Sequence, residues 1–456
     1  MNDCSFQDAI IEFALGLGWS GVPEDVREVF RLSLLDWCAV GLAGVDEPVS
    51  VKLRDMVRAE GGKGEAFVFG SDVALPARAA ALANGTISHA LDFDDTHFLH
   101  IGHPSVTIFP AALAVAQQVG ATGAEFLTAA LAGYEASVRI GHWLGRAHYE
   151  AGFHMTATAG CFGVTIAAAR LLGVDAAQMG AALGLASTRA SGLKAQFGSM
   201  GKPYNAGMAA SAGVEAALLA VAGMTSDACG LRSFALGHAG EMDMAALNGR
   251  GQSFVSAAVS HKFHACCHGT HAALEALAKL DVEAGEVTGV QITVHPRWLK
   301  VCNQAEPVTG LEAKFSYRMC FAFALAGLET GALATFVDEN CADPRLRALR
   351  DLVAVQGDAT LADGAARVLV NCHGDMVRQA EFDLDQTLPL TQRRDRVLAK
   401  AAVLIGEGRT RQIWARIENL ETTNSLSDFL EHVAPNRIHH PDRTHSLART
   451  LPRSGR

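Results

Sequence analysis

The chain has 456 residues, too many for one ordinary hydrophobic core, so two or three domains are expected. Hydrophobic residues make up 49% and charged residues 19%, which excludes a disordered chain. A net charge of −10, with no long basic run before the C-terminus, argues against nucleic acid as a partner; an anionic substrate stays open, because local pocket charge decides that.

The first residues carry acids and lack both a basic leader and a small-residue cleavage site, so no signal peptide is expected. Apolar runs at 109–117 and 213–223 fall short of the ~20 residues a membrane span needs, which predicts a cytoplasmic protein with no membrane partner. Ten cysteines scattered through so long a chain read as reduced thiols.

Residues 1 to about 255 read as helix after helix. Pro23 fits a first helical turn, followed by an apolar face through Val26, Phe30, Leu34 and Cys38. Thr122 and Glu125 form a capping box ahead of Phe126, Leu127, Ala130 and Leu131. Residues 160–172 and 208–222 carry Ala and Gly on nearly every face, the mark of buried, closely approaching helices. The character changes after about 280. Residues 290–295 alternate with period two until Pro296, which predicts a strand. Alternation over 366–383, broken at His373-Gly374-Asp375, predicts a hairpin. Helices are expected at 315–336 and at 344–354, the second opened by Asp343-Pro344. From about 396 the helical period returns, and the last twenty residues read as a loose tail. The fold class is therefore mainly α: a large all-helical domain formed by both chain ends (1–260 and 396–456), with a smaller α+β domain (261–395) between them.

Between two greasy helical stretches lies a polar island, residues 90–105. It packs Asp92, Asp94, Asp95, Thr96, His97, His100 and His103 into about a dozen positions. Groups this dense are costly to desolvate unless they pair with one another or with a ligand, so the segment is expected to line a pocket. Elsewhere, His154 precedes a buried helix, and Lys202 stands at the break before another. Lys262 leads a cluster with His264, Cys266, Cys267, His268 and His271, and Lys314 opens a later helix. A lone His or Lys at a helix start is ordinarily a surface residue; together these would make a cationic pocket in an acidic protein, helped by helix N-termini. Such a pocket suits a small di- or tricarboxylate. Adjacent Cys266 and Cys267 cannot both face one zinc ion, and the aspartates lack an EF-hand pattern, so no metal is expected.

The segments ANGTISHALDFDDTH with GHPS, the His154 segment, GSMGKPYNAGMAA, KFHACCHGTHAALEAL and AKFSYRMCFAFALAG occur in order over about residues 25–430. They resemble the MmgE/PrpD family, which includes 2-methylcitrate dehydratase, cis-aconitate decarboxylase and iminodisuccinate epimerase. The resemblance implies a homodimer, an α+β lid domain, and a pocket between the domains that needs neither metal nor cofactor. It places the family's pocket residues on Asp92, Thr96, His103, His154, Lys202 and Lys262. His103, with His154 and Asp92, would then carry proton transfer. Thr96, Lys202 and Lys262 would bind or orient substrate, together with Cys267 and His268 from the same cluster.

Two departures bear on the substrate. A further pocket histidine of the decarboxylase falls on Cys267, and a pocket tyrosine falls near Met319, two positions from Tyr317; His264 or His268 is placed to compensate. The leading expectation is a carbon–oxygen lyase of the 2-methylcitrate dehydratase type. An epimerase is the runner-up, followed by a decarboxylase and a non-catalytic carboxylate-binding homologue.

Overall fold

Thr122 caps the longest helix through its hydroxyl, which accepts from the Glu125 backbone N–H at 3.2 Å while the Glu125 carboxylate accepts from Thr122 N at 2.8 Å. The helix runs Gly123–Glu150 and packs on Met155–Leu171, which packs in turn on Gly201–Val221. Small residues allow this. A Cβ at Gly163 would come within 2.5 Å of the Gly133 carbonyl oxygen, and the mirror contact holds at Gly133, so the two helices touch backbone to backbone. The computed structural model describes residues 4–386 and 388–433; the tail expected over the last twenty residues lies outside them.

Two hydrophobic clusters organise the described residues. The larger joins residues from Phe6 to Val259 with others from Val397 to Val433. The helix Leu390–Ile405 returns the chain onto the early helix Glu24–Ala43. Pro23 stands one position outside that early helix, as its N-cap, rather than inside its first turn. The smaller cluster takes its members from Ala265 to Cys372, together with Val40, Leu91 and Phe93.

The smaller cluster is built on a four-stranded sheet, β1 (Val287–Val294), β2 (Val353–Gly357), β3 (Ala365–Cys372) and β4 (Met376–Asp383), in the order β2-β1-β3-β4. The expected hairpin is β3–β4, antiparallel and closed at Cys372 opposite Met376. β2 overturns part of the predicted 344–354 helix: that helix ends at Asp351, and Val353 begins a strand parallel to β1. The helix expected over 315–336 is also shorter, Tyr317–Leu325, because Gly327 takes a positive φ of 74° that ends it. A further correction concerns the thiols. Cys4 and Cys229, 225 residues apart, are joined in a disulfide between the caps of two helices. Among the described residues no helix is long and apolar enough to cross a membrane.

Candidate active site

The polar island connects the helices Ala77–His89 and Ser105–Val119, and it divides into anchors and lining groups. Asp95 accepts from the Ser105 hydroxyl at 2.6 Å and the Tyr134 hydroxyl at 3.2 Å. His97 Nε2 donates to the Val255 carbonyl at 2.8 Å, and His100 Nε2 meets the Ser137 hydroxyl at 2.9 Å. All three anchors are buried, and burial lowers both imidazoles, His97 to about 4 and His100 to about 3. Held this way, the loop turns Asp92 into the left-handed region at φ 51° and presents it to a cavity of about 990 Å³.

Asp92, Thr96, His103, His154, Lys202, Lys262, Cys267 and His268 all line that one cavity. Asp92 Oδ1 lies 2.7 Å from Lys202 Nζ, 3.0 Å from Lys262 Nζ and 3.6 Å from His103 Nε2. Burial pushes the carboxyl up, and the two ammonium groups with His103 overcome it, leaving Asp92 well below the usual carboxylate range. The lysines are not equivalent. An ammonium has three donors. Lys262, with a side chain 2% exposed, spends two of them on the Asp92 carboxylate and its backbone carbonyl. Lys202, 15% exposed in the first turn of Gly201–Val221, gives the carboxylate one and keeps more of its charge toward the cavity.

His103 Nδ1 stands 2.9 Å from Asp94 Oδ2, and His89 Nδ1 stands 2.9 Å from Asp94 Oδ1, so one fully buried carboxylate serves two imidazoles. Burial lowers His103 to about 4 despite Asp94, so the ring is neutral near pH 7. His154 is the N-cap of Met155–Leu171, is likewise held neutral by burial, and has Asn205 Nδ2 at 3.2 Å from its Nδ1. Thr96 Oγ1 meets His268 Nδ1 at 2.5 Å, with the Ser260 hydroxyl 3.3 Å from the other ring nitrogen. The Cys267 thiol is lowered to about 7, first by a hydrogen bond from Cys302 and then by Lys262 against the opposing effect of burial.

Ligand atoms of His89, Asp92, Asp94 and His103 lie within 4.8 Å of one another, a spacing that would admit a cation. The donor set does not favour one. Two ammonium groups already neutralise Asp92, and a divalent ion would have to displace or repel them.

The sequence-based view of this site gave Asp94 no role of its own, and it missed His89 and Asn205. Asn205 had a signal: it lies one helical turn from Lys202. Of the two histidines offered in compensation, His268 lines the cavity, whereas His264 does not, and it bonds to Thr330 and to the cavity residue Glu275. Tyr317 is buried and donates to the Gly269 carbonyl at 2.7 Å, and Met319 is buried in the smaller cluster. At the mouth, Arg146 of the long helix and Arg297, which follows β1, both meet Asp363 Oδ2.

A family model described as the MmgE/PrpD N-terminal domain matches residues 8–231, and one described as the MmgE/PrpD C-terminal domain matches residues 264–386. The chain is similar to a cis-aconitate decarboxylase of Aspergillus terreus, 26% identical over 468 residues, covering 92% of this chain and 94% of the relative. It is 30% identical over 285 residues to a cis-aconitate decarboxylase-like protein of Aspergillus oryzae, covering 57% of this chain and 58% of that one. With human cis-aconitate decarboxylase it shares 33% identity over 158 residues, 34% of this chain and 33% of the relative.

Proposed function

The chain belongs to the MmgE/PrpD family, both of whose domain models it matches in order, and on that footing we propose that it is a cofactor- and metal-independent lyase acting on a small di- or tricarboxylic acid. It removes a proton beside a carboxylate and expels water, as a 2-methylcitrate dehydratase does. The observation that carries this reading is the setting of Asp92, whose Oδ1 lies within 3.0 Å of two ammonium groups, while two neutral imidazoles, His103 and His154, line the same cavity. Fixed cations bind carboxylates and stabilise the enolate-like charge that forms when the proton leaves, and a neutral imidazole can accept that proton. Thr96 and His268 form a hydrogen-bonded pair on the wall that orients substrate, and Cys267 contributes a polar contact beside them.

We take the region 261–395 to act as a lid, with Asp363 bridging Arg146 and Arg297 across the mouth. We also take the protein to work as a homodimer. Leu193, Phe197, Met200 and Tyr204, all exposed near Lys202, provide an apolar surface that a second copy would cover.

The names of the relatives favour a second reading, loss of CO2 rather than water. Cys267 and Met319, at or near positions where the decarboxylase carries polar pocket groups, weigh against it. Incubation with citrate-like, tartrate-like and aspartate-derived acids in D2O, followed by proton NMR and ultraviolet absorbance, separates these outcomes. A new alkene without CO2 is expected. Release of CO2 would establish the decarboxylase, and deuterium uptake without net product would establish an epimerase.

A further inference from the structure

Each of the two cavity histidines has one ring nitrogen whose neighbour determines where the proton sits. Asp94 is buried and ionised, and an ionised carboxylate only accepts. Its Oδ2 lies 2.9 Å from His103 Nδ1, off the line of a well-aligned hydrogen bond, but at that distance the negative oxygen favours the tautomer with the hydrogen on Nδ1. In the neutral ring Nε2, the nitrogen nearer Asp92, is then bare. His89 Nδ1 lies 2.9 and 3.0 Å from the two oxygens of the same carboxylate, which keeps Asp94 charged and immobile.

His154 is the reverse case. Asn205 Nδ2 lies 3.2 Å from His154 Nδ1 and also 3.2 Å from the Leu193 carbonyl oxygen. A carbonyl cannot donate, so the atom touching both must be the amide NH2. It therefore donates to His154 Nδ1, and the neutral His154 ring carries its hydrogen on Nε2. A second proton at Nδ1 would point at the amide N–H, so the ring is held neutral.

We propose that Asp94 and Asn205 are positioning residues that hold His103 and His154 in opposite tautomers, making His103 the base and His154 a neutral hydrogen-bond donor to the substrate. This rests on the proton-abstraction reading above and assigns its roles. The substrate C–H proton moves to His103 Nε2, and the electron pair it leaves spreads into the adjacent carboxylate as an enolate-like oxyanion. Lys202 and the His154 Nε2–H stabilise that oxyanion. His103 then holds the proton as an imidazolium paired with Asp94, which the fixed negative charge favours.

The direct test is a long-range 1H–15N correlation spectrum of histidine-labelled wild-type protein, with the two rings assigned by His103→Gln and His154→Gln. The inference expects a bare Nε2 on His103 and a bare Nδ1 on His154; the same tautomer on both rings, or the reversed pattern, overturns it. Kinetically, Asp94→Asn should lower kcat about 10³-fold or more with KM changed less than about threefold, because an asparagine amide can turn the His103 tautomer over. Asn205→Asp should invert the His154 spectrum and lower kcat in the same way. Wild-type kcat in Asp94→Asn overturns the positioning role. Normal turnover in His103→Ala would instead defeat the underlying proton-abstraction reading, so the two failures are distinguishable. The wild-type spectrum decides the matter even if a variant does not fold.

Discussion

Lys400 Nζ donates to the backbone carbonyl of Phe93 at 2.6 Å, which fastens the helix Leu390–Ile405 to the peptide between Asp92 and Asp94. The same ammonium stands 2.5 Å from Asp36 on the Glu24–Ala43 helix, and both groups are buried. An early and a late helix thus meet at a charge pair that holds the loop from its backbone side.

Lys400→Met should therefore destabilise the fold by about 3–5 kcal/mol, because it leaves the Asp36 carboxylate buried without its partner. Urea unfolding measures this. Adding Asp36→Leu should restore most of the stability, since an apolar pair can replace a buried ion pair. Activity should stay low in the double variant, because the Phe93 carbonyl has still lost its donor. Recovery of both together would show that Lys400 serves stability alone.

Lys202 and Lys262 should respond differently to truncation. Lys202→Ala is expected to raise KM and to lower kcat, because it withdraws both a carboxylate contact and a charge that stabilises the oxyanion. Lys262→Met should lower thermal stability, because it withdraws two of the bonds that hold Asp92. Equal effects of the two variants on KM and on melting temperature would contradict the division of labour drawn from their exposure.

Acidification should unfold the protein early. His97, His100 and His103 have folded-state values of about 4, 3 and 4, below the ordinary 6.5 of an unfolded chain. Their neutral burial contributes stability that is complete above 6.5 and lost as pH falls toward about 4, on the order of 3 kcal/mol per ring. Asp95 works in the opposite direction. Burial raises it to about 7, so its contribution is complete below the ordinary 3.8 and is lost as pH rises through about 7. Three histidines outweigh one aspartate, so stability should rise to about pH 7 and level off above it, and calorimetry at pH 7, 6 and 5 should show a falling melting temperature. A constant melting temperature over that range would rule out this account.

Dialysis against EDTA should leave turnover unchanged, and added Mg²⁺, Mn²⁺ or Zn²⁺ should not increase it. A loss of activity reversed by one of these ions would mean that His89, Asp92, Asp94 and His103 ligate a cation in spite of the neighbouring lysines.

The helical frame was legible because its signals are local. The Thr122–Glu125 capping box, the alternation ending at Pro296 and the break at His373-Gly374-Asp375 each report through neighbours in sequence. β2 was not legible, since Val353 to Gly357 follows a helix within two residues and its strand character comes from pairing with β1. Within the site, the eight side chains singled out, six of them by the family resemblance, line one cavity. Which oxygen of Asp94 meets which imidazole is a tertiary fact. His89 reaches it from the last turn of one helix and His103 from the far end of a loop, and nothing in their spacing sets that geometry. The Cys4–Cys229 pairing was hidden for the same reason, its partners lying 225 residues apart.

The return of Leu390–Ile405 to the Glu24–Ala43 helix has a consequence for biosynthesis. A ribosome makes the early helix long before the segment that covers it, so through most of translation the nascent chain exposes the Val397 and Ala401 contact surface and an Asp36 without its counter-ion. Domains otherwise tend to mature in the order they emerge. Here the Glu24–Ala43 helix cannot finish packing before Leu390–Ile405 is made, and in that interval the chain would depend most on chaperones.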